Sequence, residues 1–241
     1  MKVGIMQPYF FPYIGYWQLI QATDTFVLFD DVQYIRHGWI NRNRIINPAG
    51  GWQYIQIPVT KHHHTELIRN ITARAGEDWR AKLLGQLDHY KHRGLHYRET
   101  VEIVRTILLG LDDPRICRIN LAILRGICAA LGVDRKMLIS SECGFDYSGV
   151  TDAGEWALRI AEQLRADTYI NPISGVELFD TAKFAASGIG LSFLQPDDIV
   201  YPRRGAFEPW LSIIDVLMFN GVEGTKSLLN RYSLHPHPKG S

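Results

Sequence analysis

The first twenty residues constrain the fold more than any other stretch. Val3, Gly4, Ile5 and Met6 form a short apolar run that reads as one buried strand. Gln7, Pro8, Tyr9 and Pro12 interrupt it, and apolar side chains return at Tyr13, Tyr16, Trp17 and Ile20, the spacing of one helix face. A strand, a tight loop and a helix in that order belong to an α/β sheet. There the loop sits at the carboxyl end of the strand and aims the unpaired N–H groups of the helix into a crevice, which favours an anion. Residues 7 to 16 are therefore a candidate phosphate or carboxylate site. Most strand-to-helix loops bind nothing. This one is set apart by the polar and aromatic density of Gln7, Tyr9, Tyr13 and Tyr16 beside Gly15, whose missing side chain lets a ligand or a neighbouring backbone approach closely.

The unit recurs along the chain. Thr25 to Asp30 reads as a second buried strand closing on Asp30 and Asp31, at the end where α/β proteins place functional groups. Consecutive side chains diverge, so at most one of the two faces the crevice, and capping of the turn is the competing role. Residues 38 to 47 and 52 to 59 form two β-rich runs joined by Asn47, Pro48, Ala49, Gly50 and Gly51, a hairpin composition. The first run carries Trp39, Asn41, Arg42, Asn43 and Arg44; its amides and arginine forks suit a phosphate or carboxylate. Alternation places Asn41 and Asn43 on one face and Arg42 and Arg44 on the other, so only one pair can line a given pocket. Lys61, a candidate anion contact, precedes His62, His63 and His64. Adjacent side chains point apart, so no metal site is expected from the three; a general base is the stronger functional reading and a polar turn the simplest one.

From Asp78 to Val133 the period changes to that of three amphipathic helices, marked by Trp79 to Tyr90, Val101 to Leu108 and Ile116 to Leu131. Residues 77–133 thus read as a helical insertion in an α/β core made of 1–76 and 134–233. Met137, Leu138 and Ile139 restore the alternation as a strand ending in Ser140 and Ser141, candidate hydrogen-bond donors. A helix over 153 to 165, a strand over 168 to 171 and a loop with Asn171, Ser174 and Gly175 follow; Ser174 is a candidate cap, and this loop is the second expected wall of the site. After a strand at 190 to 194, Tyr201, Pro202, Arg203 and Arg204 form a polar loop, a candidate lid. Residues 207 to 221 read as a helix in which Asp215 lies among Leu211, Ile214, Val216 and Leu217. A carboxylate there needs a partner or a polar pocket, because unpaired burial costs several kcal/mol. That singles out Asp215 and Ser212, with a helix-end ion pair as the plainer account. Residues 234–241 read as a flexible tail.

Composition narrows the function classes. A formal charge of +1 on 241 residues, 46% of them hydrophobic, supplies core material without the polycationic bias of a nucleic-acid binder, and no DNA partner is expected. The longest apolar stretches fall short of the roughly 20 residues of a membrane span, and Met1 and Lys2 lead straight into a strand, so a soluble, cytoplasmic protein without membrane insertion is expected. Cys117, Cys128 and Cys143 are odd in number and lack CxxC spacing, which fits a reducing compartment and no structural disulfide. Cys143 has no local Cys-His signature of a nucleophile.

Four blocks carry a family resemblance. MQPYFFPYIGYWQLI, FDDVQYIRHGWINRNRI (29–45), YINPISGVELF (169–179) and FEPWLSIIDVLMFNG (207–221) resemble the WbqC-like family, in the family's order and over nearly the whole chain. The resemblance implies a place among O-antigen and other surface-polysaccharide genes and a transferase that moves glycyl or another acyl group onto a sugar. A fainter similarity sets Tyr13, Ile14, Gly15 and Tyr16 in the place of the His-x-Gly-His motif of HIGH-type nucleotidyltransferases, which implies ATP. Both histidines are tyrosine here, and no KMSKS-like lysine loop follows.

The combined expectation is an α/β protein with a mainly parallel, Rossmann-like sheet, a β-hairpin excursion and a helical insertion. Its site is expected where the loops after the first, second and Asn171 strands converge. The lining expected there is Gln7, Tyr9, Tyr13, Gly15 and Tyr16, then Asn41, Arg42, Asn43 and Lys61, and finally Ser140, Asn171, Ser174, Gly175 and Ser212. Asp30, His62 and Asp215 are the candidate proton-transfer groups. The acceptor is an amino sugar or sugar nucleotide; the donor is an aminoacyl-tRNA, a carrier-protein thioester or an adenylate. The rival readings are a nucleotide-activating enzyme using ATP and a non-catalytic binding subunit.

Overall fold

In the computed structural model, which describes residues 1–202 and 207–236, the N-terminal unit is β1 (Lys2–Met6), a loop and α1 (Ile14–Ala22). β2 (Thr25–Leu28) lies parallel to β1. The hairpin β3 (Arg42–Ile46) and β4 (Trp52–Gln56) is a separate antiparallel pair. Three helices follow: α2 (Trp79–Leu87), α3 (Tyr97–Leu109) and α4 (Ile116–Leu131). β5 (Lys136–Ile139), α5 (Glu155–Gln163), β6 (Thr168–Pro172), α6 (Thr181–Ala186), β7 (Gly190–Pro196), α7 (Ile213–Leu228) and β8 (Tyr232–Pro236) complete the described chain.

The main sheet has the order β5-β2-β1-β6-β7-β8, parallel except for the β7–β8 pair. Counted in chain order its strands run 3-2-1-4-5-6, the doubly wound order, so the expected Rossmann-like sheet is present and its topological switch point falls between β1 and β6. Period-two alternation divides the strand side chains between two cores. Val3, Ile5, Val27 and Tyr169 pack with Leu158 and Ile160 of α5 and Phe184 of α6. Phe26, Leu28, Met137, Ile139, Ile170 and Leu194 belong to the larger core with α1, α7 and the hairpin. Leu83, Val104 and Leu124 of α2, α3 and α4 join that same core.

Several boundaries differ from the sequence reading, each for a local reason. The second hairpin strand ends at Gln56: one further bond, from the Ile57 N–H to the Asn41 carbonyl (2.8 Å), keeps the hairpin register, and beyond it Pro58 has no N–H to extend the pairing. The last helix starts at Ile213, not near Phe207: Trp210 has φ +60, which a right-handed helix cannot include, and the Ser212 hydroxyl caps the start by accepting from the Ile214 N–H (3.2 Å). It continues to Leu228 across a break at Gly221 (φ +64), where a Cβ would lie 2.5 Å from His96 Nδ1. Within the segment read as a tail, Leu234, His235 and Pro236 pair with β7 as part of β8. Residues 237–241, and Arg203 and Arg204 of the candidate lid, lie outside the described residues.

Candidate functional site

At the switch point the carboxyl ends of β1 and β6 open into a cleft of about 340 Å³. Met6 and Pro172, the last residues of the two strands, line it. Tyr9 and Tyr13 enter from the loop after β1, and Trp39, Asn43 and Arg44 from the hairpin side. Ser174 comes from the turn after β6 and Trp210 from the segment before α7.

The loop that carries the two tyrosines is held by its own carbonyls. The Asn43 amide donates to the Phe10 and Phe11 oxygens (3.0 and 3.1 Å), and the Ser212 hydroxyl donates to Phe11 as well (2.8 Å). Asn120 of α4 donates to Pro8 and to Ile40 (both 2.8 Å), and the Trp17 indole N–H to Pro12 (2.9 Å). These bonds fix Phe11 at φ +40, a conformation a bulky residue keeps only where its surroundings over-determine it. Gly15 supplies space: a Cβ there would lie 2.5 Å from Cε2 of the Tyr13 ring, so its absence lets that ring lie over the first turn of α1. Tyr13 then meets Trp210 edge to face, with centroids 5.6 Å apart. Burial raises the Tyr9 and Tyr13 phenols above their ordinary range, Tyr13 further through its proximity to Tyr9; both are neutral O–H donors near pH 7.

Among the described residues that line this cleft, Arg44 is the cation. Its guanidinium sits between the indoles of Trp39 (5.2 Å) and Trp52 (5.1 Å). Nε is buried without a hydrogen-bond partner, and among the described residues the guanidinium makes no ion pair. A cation flanked by aromatic faces and free of carboxylates is a receptor for an anion. Its neighbour Arg42 is used otherwise: Nε donates to the Gly38 carbonyl (3.3 Å), the guanidinium also donates to the His37 carbonyl, and it stacks over Tyr54 at 4.1 Å.

The structure thus brings Tyr9, Tyr13, Asn43 and Ser174 together at the cleft, with Gly15 and Ser212 shaping the wall behind them. Asn171 and Gly175 do not line the cleft: the Asn171 amide donates to the Tyr169 hydroxyl (2.5 Å) on the other face of β6, and a Cβ on Gly175 would collide with Asn171 Oδ1. Tyr16 is buried in the core and donates to the Gln7 carbonyl (2.9 Å), burial holding its phenol well above the ordinary range. Asn41 accepts from Tyr34 (2.7 Å) and donates to Ile57 (2.9 Å).

The three candidate proton-transfer groups do not line the cleft. Asp30 is 1% exposed and accepts from the Ser140 hydroxyl (2.9 Å), the Ser141 N–H (3.0 Å) and the Ser141 hydroxyl (2.8 Å), which places Ser140 beside it and away from the cleft. Asp215 is fully buried and accepts from the hydroxyls of Tyr90 and Tyr201, each at 2.5 Å. His62 holds the Thr60 carbonyl at 2.8 Å and packs against the Tyr34 ring, while Lys61 is exposed. Cys143 is exposed, its thiol donating to the Ile139 carbonyl (3.2 Å) and raised by partial burial and the nearby Glu142. Among the described residues, no group of three or more His, Cys, Asp or Glu is placed to hold a metal ion, and no helix is long and apolar enough to cross a membrane.

Sequence reasoning named Trp39 and Arg44 on the hairpin run, with its arginines as an anion grip, but left both out of the expected lining, and it passed over Trp210; all three lie within the quoted family blocks. It also passed over Met6, Pro172 and Asn120, which carry no signal apart from their place in the topology. The family model described as WbqC-like protein family matches residues 7–227. A relative named "Uncharacterized protein Rv1507c", from Mycobacterium tuberculosis, is 29% identical over 225 residues, covering 92% of this chain and 95% of its own length. No solved structure matches the chain significantly.

Proposed function

The chain belongs to the WbqC-like protein family, and from that membership and the cleft we propose a transferase that moves an aminoacyl or other acyl group onto an amino sugar held as a sugar nucleotide. The observation that carries the reading is the Arg44 guanidinium, flanked by indoles and without an anionic partner among the described residues, at the switch point of a doubly wound sheet. Arg44 takes the substrate's phosphate, and the aromatic walls of Tyr9, Tyr13 and Trp210 stack on its rings. The family resemblance supports a role in surface-polysaccharide assembly.

The chemistry asks little of the protein beyond placement. The sugar amine attacks the acyl carbon, the new C–N bond forms as the bond to the departing sulfur or oxygen breaks, and the amine's proton leaves with that group. Holding two reactants in line supplies much of the rate, and the neutral phenols of Tyr9 and Tyr13 are donors suited to the developing oxyanion. No covalent nucleophile is required. Tyr16, at the second position of the HIGH-like motif, is tied to the Gln7 carbonyl inside the core, so no observation favours adenylyl transfer.

The test is calorimetric titration with a UDP-linked amino sugar. Arg44→Ala is expected to weaken binding about 30-fold, from the roughly 2 kcal/mol of a charged hydrogen bond, while Arg42→Ala leaves it near wild type. Equal affinity of Arg44→Ala and wild type overturns the reading. Binding without turnover by thioester, aminoacyl-tRNA or adenylate donors would mark a binding subunit instead.

A further inference from the structure

Charge is spread unevenly along this chain. Between Val32 and Thr65 there is no Asp or Glu, while Arg36, Arg42, Arg44, Lys61 and four histidines fall there, so the rest of a chain of net charge +1 is net negative. The carboxylates at either end of the segment are engaged: Asp31 accepts from Arg69 (2.8 Å) and Tyr147 (3.0 Å), and Glu66 accepts from Asn70 (2.6 Å). The fold gathers the segment into one surface. Asn43 and Ile55, opposite one another in the hairpin, are buried, so Arg42, Arg44, Trp52, Tyr54 and Gln56 share the outward side. Guanidinium and ring alternate there: Arg44 lies beside Trp52 and Arg42 over Tyr54, with Trp52 40% exposed. The stripe continues into two loops tied together, where Arg42 donates to the His37 carbonyl, Arg36 to the His62 carbonyl (3.3 Å) and Gln33 to the His64 carbonyl (2.6 Å). Arg36, His37, Lys61, His63 and His64 are exposed on these loops. Among the described residues Arg36, Arg42 and Lys61 make no ion pair. At its other end the stripe runs into the cleft through Arg44, which belongs to both.

Resting on the transferase reading above, we infer that this stripe docks the donor and that the donor is an aminoacyl-tRNA, its unpaired 3′ end lying along the hairpin with the acyl-bearing terminus at the cleft. Of the three donor classes open to that reading, this one alone is a polyanion whose reactive end carries unpaired bases. Rings interleaved with uncompensated cations suit such a strand: bases stack on aromatic and guanidinium planes while the cations track its phosphates. Arg42 and Arg44 stand about 7 Å apart along their strand, the reach of one extended nucleotide. An acidic carrier protein would answer the charge but brings no bases to the rings. In the step itself the amine nitrogen of the sugar bonds to the ester carbonyl carbon, the bond from that carbon to the terminal ribose oxygen breaks, and the proton from nitrogen goes to that oxygen. The products are an N-aminoacyl sugar and the deacylated tRNA, with no change of oxidation state.

The experiment follows the anisotropy of a fluorescein-labelled single-stranded RNA with the tRNA 3′ sequence as the full-length protein is added, beside labelled polyglutamate and a parallel titration with a UDP-linked amino sugar. Wild type is expected to bind the RNA with a log–log salt slope of about −2, the release of counterions from about three phosphates. Trp52→Ala is expected to weaken RNA binding about tenfold with the slope kept, and Trp52→Phe to restore most of it. Arg42→Ala and Lys61→Ala are each expected to flatten the slope by about 0.7, Lys61 being an exposed position whose loss the fold tolerates. RNA that fails to bind wild type, or that binds the folded variants with unchanged affinity and slope, overturns the inference. So does RNA bound no more tightly than polyglutamate, which would mark the stripe as a surface for an acidic protein. Failure of the sugar nucleotide to bind wild type, whatever the RNA does, is the separate mark of a failed transferase reading.

Discussion

Two polar clusters lie at the carboxyl ends of strands in one sheet, and they differ in being shut or open. At the ends of β2 and β5, the Asp30 carboxylate is enclosed by three donors from Ser140 and Ser141. At the ends of β1 and β6, Arg44 faces a cleft between two indoles with no anionic partner among the described residues. Topology explains the contrast. β5 runs directly into the short turn Ser140–Glu142, which folds onto the end of β2. After β1 and β6 the chain leaves in opposite directions, to α1 in the larger core and to the turn Ile173–Leu178 and α6 on the other face, so a gap stays between them. A charged residue at a strand end is thus no sign of a site by itself; the order of the strands decides whether it meets solvent or a neighbour.

Substitutions can break this contrast. The largest effect is expected at the closed cluster. Asp30→Ala strands the donors of Ser140 and Ser141 and should cost about 3 kcal/mol in urea unfolding, with ligand affinity per folded molecule unchanged. A small stability loss with abolished binding would reverse the roles assigned to the two clusters. Arg44→Ala should do the opposite, losing roughly 2 kcal/mol of anion binding while stability stays within about 1 kcal/mol of wild type. Gly175→Ala probes the turn that carries Ser174 to the cleft: its new Cβ meets Asn171 Oδ1, so that turn must shift, at about 1 kcal/mol of stability with a matching loss of affinity.

The smallest expected effect is on pH dependence. Burial first, and for Tyr90 the adjacent Asp215 next, holds the phenols of Tyr16 and Tyr90 well above their ordinary range. A phenol whose folded pKa is raised contributes stability that is complete below the unfolded value near 10 and is lost as pH rises through the folded value. Unfolding free energy should therefore be level with respect to these groups from pH 7 to 9 and fall by a few tenths of a kcal/mol per tyrosine at about pH 10. Spectrophotometric titration should show Tyr9 and Tyr13, in the open cleft, ionising before Tyr16 and Tyr90. The reverse order would contradict the burial described for the two regions.

Much of this architecture was legible in the sequence because it rests on period and punctuation. Short apolar runs ended by polar or glycine-bearing loops mark β1, β2, β5, β6 and β7, and the i, i+3, i+4 spacing marks α3 and α4. The six-residue α6 is too short to display a period, and β8, with Tyr232 its sole partly buried residue up to Pro236, has no apolar face to read. The cleft was legible in part. Tyr9, Tyr13, Asn43 and Ser174 were recognisable from loop chemistry at strand ends. The choice between Arg42 and Arg44 was not, since alternation places them on one face and only their partners, Gly38 and His37 for one and two indoles for the other, tell them apart. Asp30 and Asp215 misled for a related reason: a carboxylate in apolar sequence is conspicuous whether it meets substrate or a pair of hydroxyls.

The amide of Asn120 touches the chain at Pro8 and at Ile40, so one side chain on the fourth helix props both the tyrosine-bearing loop and the approach to the hairpin. Excising the helical segment to obtain a minimal sheet would leave those two carbonyls without their donor and slacken both sides of the opening at once. The helices between the hairpin and β5 behave as a keystone, and any shortened version of the protein has to keep them.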